Sequence, residues 1–160
     1  MLPAIRTRAK RLRAAYTAGV RDFRHWDLRE VDLSGEDLSE IDLRGACLHC
    51  ANLRAAQLKR AILAGADLSG ADLTEAVLVD AVLAYTQLID AVLEDAALAG
   101  ADLTGAILVR ANLRGANLEW AYAAEVDFSG ACLEGADLTG ADLTDAVLEP
   151  HVARTALSHW

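Results

Sequence analysis

The chain has 160 residues, 54% of them apolar but only 5% aromatic, with a formal net charge of −9. That is one domain's length, and no apolar run approaches the roughly 18 residues of a membrane-spanning helix, which excludes a helical span. The charge is split: residues 1–24 carry seven basic groups and one acid, so the +6 there leaves −15 for residues 25–160.

In residues 1–20, Ile5, Ala9, Leu12, Tyr16 and Val20 are spaced 4, 3, 4 and 4 apart. Such spacing predicts one apolar face of a helix, with the arginines and Lys10 around the rest and Gly19 as its stop. A stacked repeat must cover its open end, so the segment is read as a basic cap helix. A helix lying on a membrane surface and a basic arm for nucleic acid are the alternatives.

From residue 21 to residue 150 a large centre recurs at every fifth position, from Phe23, Leu28 and Leu33 to Leu143 and Leu148. After Phe23, only Ala123 and Phe128 replace leucine. Alanine commonly stands two places before the centre, and Asp or Asn one place before it. Ten glycines, Gly35 to Gly140, stand two places after it. A straight helix would rotate each fifth residue by about 140°, spreading the leucines over every face. A flat strand would alternate them between two faces. The pattern is coherent only if the chain turns a corner in every unit, with the centre and the alanine inward and glycine at the bend. The expected fold is an all-β solenoid of short bridges around a leucine interior.

Units such as AGADLSGADLT (Ala64 to Thr74) and GADLTGADLT (Gly135 to Thr144) resemble the pentapeptide-repeat family, whose pattern is A(D/N)LXX. The resemblance covers about four-fifths of the chain. It implies a right-handed quadrilateral β-helix, four units to a coil. The 26 units of residues 21–150 then make about 6.5 coils, roughly 30 Å tall at the usual strand spacing. The expected organisation is a cap helix (1–20), a β-helix (21–150) and a C-terminal cap or tail (151–160).

With residues twenty apart stacked, Ala123 lies between Leu103 and Leu143 and leaves missing volume, part of which Phe128 can fill. Glu36 takes an inward alanine slot, where a lone carboxylate is costly, so a salt link to Arg21 or the basic helix is expected. Val77, Val79, Val82, Tyr85, Ile89, Val92, Ile107 and Val109 occupy outward slots held elsewhere by Asp, Ser, Thr or Arg. This apolar belt is the candidate partner surface. Scattered surface apolars that suit a strand are the alternative explanation.

Cys47-Leu-His-Cys50 has a metal-like spacing but lacks a second ligand pair, and no metal or other cofactor is expected. The carboxylates recur at one slot in each unit, which reads as hydrogen-bond ladders and solvated faces, not a tuned acid–base pair. His25, His49, His151 and His159 are dispersed, and no phosphate-cradling motif is present. The chain is expected not to be an enzyme. Three cysteines and the lack of a secretory apolar segment point to the cytosol. In the tail, Val152, Ala156, Leu157 and Trp160 can share a helical face over the last coil, and an uncovered end would permit a homodimer. The expected function is a non-catalytic scaffold that binds another protein, or a second copy, through the flat faces of a rod. The rival is inhibition or protection of DNA gyrase by mimicry of duplex DNA, which some members of the resembled family perform and which an acidic rod suits.

Overall fold

The computed structural model describes residues 3–149. The expected lid in residues 151–160 lies outside them. Among the described residues the one helix is α1, Pro3–Thr17, and it is too short and too polar to cross a membrane. Beyond it, the chain repeats a single local conformation in every five-residue unit.

The backbone hydrogen bonds explain why that unit is stable. In the unit centred on Leu63, the Ile62 N–H donates to the Ile41 carbonyl at 2.8 Å and the Leu63 N–H to the Val82 carbonyl at 2.7 Å. Gly65 donates to Ala84 at 3.0 Å, and Ala66 closes the turn on Leu63 at 2.9 Å. Four of the unit's five amides are thus satisfied by backbone, as a buried chain requires. The fifth belongs to the residue after the centre. Where Asp or Asn precedes the centre, its Oδ1 accepts that amide: Thr74 on Asp72 at 3.0 Å, Thr104 on Asp102 at 3.0 Å, Arg114 on Asn112 at 3.1 Å. This is the Asx turn, and it is the physical reason for the D/N slot. The carboxylates therefore bond mainly two residues ahead. The expected ladder survives only in places, as where Asn52 Nδ2 donates to Asp32 Oδ1 at 3.1 Å.

Every β-bridge is parallel, isolated and joins residues twenty apart, from Asp22 with Asp42 to Asp127 with Val147. Four units therefore separate stacked residues. Each unit ends in a corner with φ between 54° and 70°, whether the residue is glycine or not. Glycine adopts that left-handed conformation without penalty, which is why it recurs there, whereas other side chains cost about 1 kcal/mol or more.

The leucine centres fill the interior. From Phe23 to Leu138 they are buried, and the alanines before them lie against the bend where little width remains. Ala123 and Phe128 are both enclosed in this core. Burial of this kind stabilises each leucine by about 1.5–3 kcal/mol, so stability is spread along the stack.

Ile5, Ala9 and Leu12 of α1 join the same core. Tyr16 is half-buried and its hydroxyl donates to the Ser39 carbonyl at 2.8 Å. Val20, expected on the helix face, lies beyond the helix end and is exposed. The first coil differs from those above it: its inward slots hold Arg21, Trp26, Val31 and Glu36 where later coils favour alanine. These larger groups meet the helix. Arg11 lies over the Trp26 ring at 5.5 Å, and Trp26 packs edge-on against Phe23 with centroids 4.9 Å apart.

Candidate protein-interaction faces

Stacking at twenty residues sorts the outward side chains into four faces. Face one carries the units at 21, 41, 61 and so on; faces two, three and four begin at 26, 31 and 36. Along each face the residue before the centre forms the middle column, joined by the bridges.

This register distributes the apolar belt around the rod. Val82 lies on face one above Ile62, with Tyr85 at the adjoining corner. Ile89, Ile107 and Val109 lie on face two, where the Asp90 amide beside Ile89 donates to the Val109 carbonyl at 3.0 Å. Val92 stands on face three, and Val77 and Val79 on face four. No single face holds all eight. Five-residue spacing makes neighbours in sequence occupy neighbouring faces, and only a twenty-residue step returns to the same one. Tyr85 and Ile107 are exposed at 65% and 37%, and the others are half-buried. Trp120 and Tyr122, which the belt did not include, are more exposed than Ile107. On face one a shallow hollow of about 370 Å³ is bordered by Val82, Gly100, Asp102 and Tyr122.

Corners carry a second pattern that the repeat alone does not reveal. Large corner side chains fold onto a glycine twenty residues later. Tyr85 covers Gly105, where an added Cβ would sit 2.6 Å from the ring, and Trp120 covers Gly140, where it would sit 2.4 Å away. Elsewhere opposite charges stack, as in the ion pairs of Arg60 with Glu40 and of Arg110 with Asp90.

The lower coils are threaded with arginine. Arg24, Arg29 and Arg44 each fork onto the aspartate two residues before them. Hydrogen bonds from Arg24 hold Asp22 at about 2, and those from Arg29 hold Asp27 well below the usual carboxylate range. Between residues 115 and 149 there are eight acids and no lysine or arginine. The upper part of the rod is therefore predominantly acidic, with Arg114 reaching up from the coil below to Glu134 at 3.0 Å.

Glu36 does have a cationic partner, but it is Arg13 of α1 and not Arg21. Arg13 Nε lies 2.7 Å from Glu36 Oε1, with the two side chains 41% and 35% exposed. Arg21 turns back instead: its guanidinium stands 3.9 Å from the Tyr16 ring centroid and donates to the Tyr16 and Val20 carbonyls. The slot is inward by register, yet it lies at the end of the stack, where the first coil is only partly covered. A second ion pair, Arg8 with Asp27 at 2.7 Å, ties α1 to face two.

Cys47 is half-buried and Cys50 and Cys132 are exposed, all as free thiols. Among the described residues no group of His, Cys, Asp and Glu is placed to hold a metal ion.

A regular stack with faces and corners, and with one capping helix, defines a repeat protein. A family model for pentapeptide repeats matches residues 22–60, 51–84, 86–122 and 124–149. The chain belongs to the pentapeptide-repeat family and has its fold, with one N-terminal helix. It is similar to the pentapeptide repeat protein Rfr23 from the cyanobacterium Cyanothece 51142, with 30% identity, 74% of this chain and 91% of that one covered, and a TM-score of 0.61. A second relative is alr5209, a pentapeptide repeat protein from Nostoc Pcc 7120, with 37% identity over 84% of this chain and 94% of that one and a TM-score of 0.54. QnrB1, a plasmid-mediated fluoroquinolone resistance protein, is 21% identical over 81% of this chain and 83% of its own, with a TM-score of 0.40. No curated protein sequence matches the chain.

Proposed function

We propose that the protein is a non-catalytic cytosolic scaffold, a right-handed four-sided rod of about 6.5 coils that binds another protein through its faces. The observation that carries this reading is the apolar cluster on face two. Ile89 and Val109 stand on successive coils in a slot that holds Arg29, His49 and Ser69 lower on the same face, and Ile107 continues the middle column of Asp27, Cys47, Asp67 and Gln87. An apolar group placed where the repeat favours Asp gives up the side-chain acceptor for the amide after the centre, so Ile107 carries a local cost. A bound partner that buries Ile107 offsets it. Ile107→Asp tests this, because it restores the Asx acceptor for the Val109 amide while removing the apolar surface. Affinity capture with the intact chain is expected to retain a partner that Ile107→Asp loses, although its thermal midpoint is equal or higher. Identical capture by both proteins would overturn the reading.

The second reading, action on DNA gyrase by duplex mimicry, is favoured by the upper coils, where residues 115–149 carry eight acids and no lysine or arginine, and Arg114 from the coil below pairs with one of them, Glu134. Against it, the lower carboxylates are neutralised by arginine forks. A supercoiling assay with purified protein decides it: no effect at micromolar concentration ends the proposal.

A further inference from the structure

We infer that face four is a self-complementary surface on which two copies of this chain pair antiparallel about a two-fold axis. The inference deepens the scaffold reading, since it rests on the faces being binding surfaces, but it concerns a different face from the one bearing Ile107.

Face four has six levels, whose middle column runs Asp37, Gln57, Val77, Ala97, Asn117 and Asp137, with successive levels joined by bridges. A two-fold axis lying in the face, perpendicular to the rod and midway between Val77 and Ala97, exchanges the lower three levels with the upper three. The same operation keeps each column on itself. Val77 then meets the second copy's Ala97, and Val79 meets its Ala99. These four are small and half-buried, so the centre of the face is flat and apolar. One level out, Gln57 meets Asn117, which offers an amide-to-amide hydrogen bond.

The charges follow the same symmetry. Lys59 meets the second copy's Glu119. Lys59 is exposed and forms no ion pair among the described residues, and the Glu119 carboxylate accepts a hydrogen bond from the neutral Asn117 amide at 3.3 Å. Each therefore carries a charge that the described residues leave uncompensated. At the corner, Arg60 meets Trp120. The guanidinium of Arg60 reaches down to Glu40, and the ring of Trp120 reaches up across Gly140. Levels 40 and 140 are themselves exchanged by the axis, so cation and ring arrive at one height and form a cation–π contact. Trp120 is 67% exposed in the single chain, and tryptophan and arginine are the residues that most often dominate binding. At the outermost level Asp37 faces Asp137, a like-charge pair at the solvent-exposed ends, where salt screens it.

Faces three and two lack this property. On face three the equivalent axis brings Arg54 onto Arg114. On face two an axis through its apolar centre brings Asp67 onto Asp127. Six levels at about 4.8 Å make a narrow strip roughly 30 Å long, so the association belongs with weak, concentration-dependent contacts.

Sedimentation equilibrium of the intact chain, from micromolar to millimolar concentration, tests the inference. The expected result is a monomer–dimer equilibrium that salt weakens. Lys59→Glu and Glu119→Lys are each expected to weaken it about tenfold or more, because two contacts per dimer turn repulsive. An equimolar mixture of the two variants is expected to dimerise like the original chain, since every contact across the axis again joins opposite charges. Both residues lie on the surface, so unchanged thermal midpoints confirm that the variants fold. A chain that stays monomeric throughout, or a dimer that neither reversal weakens, overturns the inference. Capture by the face bearing Ile107 is read separately with the Lys59→Glu variant, so failure of one proposal is distinguishable from failure of the other.

Discussion

Arg13 joins α1 to the first coil by two bonds, one to Glu36 Oε1 at 2.7 Å and one to the Asp32 carbonyl at 2.8 Å. The pair is more than a third exposed, where ion pairs contribute about 1 kcal/mol or less. Leu12, on the same helix, is fully buried. Leu12→Ala is therefore expected to cost about 2–5 kcal/mol and to release α1, while Glu36→Ala costs less than about 1 kcal/mol. Chemical denaturation with hydrogen exchange of the α1 amides checks both.

Gly65 and Gly105 share one corner and nearly one φ, +65° and +63°, yet differ in surroundings. A methyl at 65 meets nothing within 4 Å, whereas at 105 it meets the Tyr85 ring. Gly65→Ala should cost about 1–2 kcal/mol for the left-handed backbone alone. Gly105→Ala should cost more and alter Tyr85 fluorescence, which thermal melts and emission spectra will show.

Glu75 is exposed at a positive-φ corner, φ 58°, with Ala55 below it and Asp95 above. Glu75→Gly removes a backbone cost of about 1–2 kcal/mol and a like-charge neighbour, against about 0.5–1 kcal/mol for the added freedom of the unfolded chain. A small rise in thermal midpoint is expected.

Thr86 occupies an inward alanine slot, and its hydroxyl donates to the Leu63 carbonyl at 3.0 Å. That carbonyl also accepts the Ala66 amide, so Thr86→Ala leaves it bonded. The change should stay within about 1 kcal/mol, as urea titration can measure.

Several aspartates titrate below their ordinary range. The Ser34, Ser39, Ser129 and Thr144 hydroxyls, followed by the amides of the same residues, lower Asp32, Asp37, Asp127 and Asp142. A carboxyl with a depressed folded pKa adds stability above its unfolded value, and that stability is lost as pH falls through the folded value. The thermal midpoint should thus hold steady at neutral pH and fall from about pH 4 towards about 2, where Asp22 titrates. Asp142→Asn keeps an acceptor oxygen and should make that fall shallower.

The five-residue register was legible because burial of the centres imposes it, and the bridges obey it from Asp22 to Val147. The twenty-residue period was not: no residue type marks a coil, so it came from the family resemblance alone. Arg21 was the wrong partner for Glu36 because a sequence does not show that its side chain turns back onto Tyr16. The aspartates looked like ladders because their repetition is visible and their direction is not; the amide two residues on is the nearer donor. Pairs such as Trp120 over Gly140 had a readable signal, a bulky corner residue followed by glycine twenty positions later.

The twenty-residue bridge register also governs how such a chain can change length. Removing or duplicating one full circuit returns every later side chain to its former side, so the molecule grows or shrinks like a column gaining or losing a course of bricks. Losing a single unit keeps the leucines enclosed but swings everything above the cut by one side. Trp120 would then leave the edge it shares with Arg60, and recognition would be lost while the fold endured.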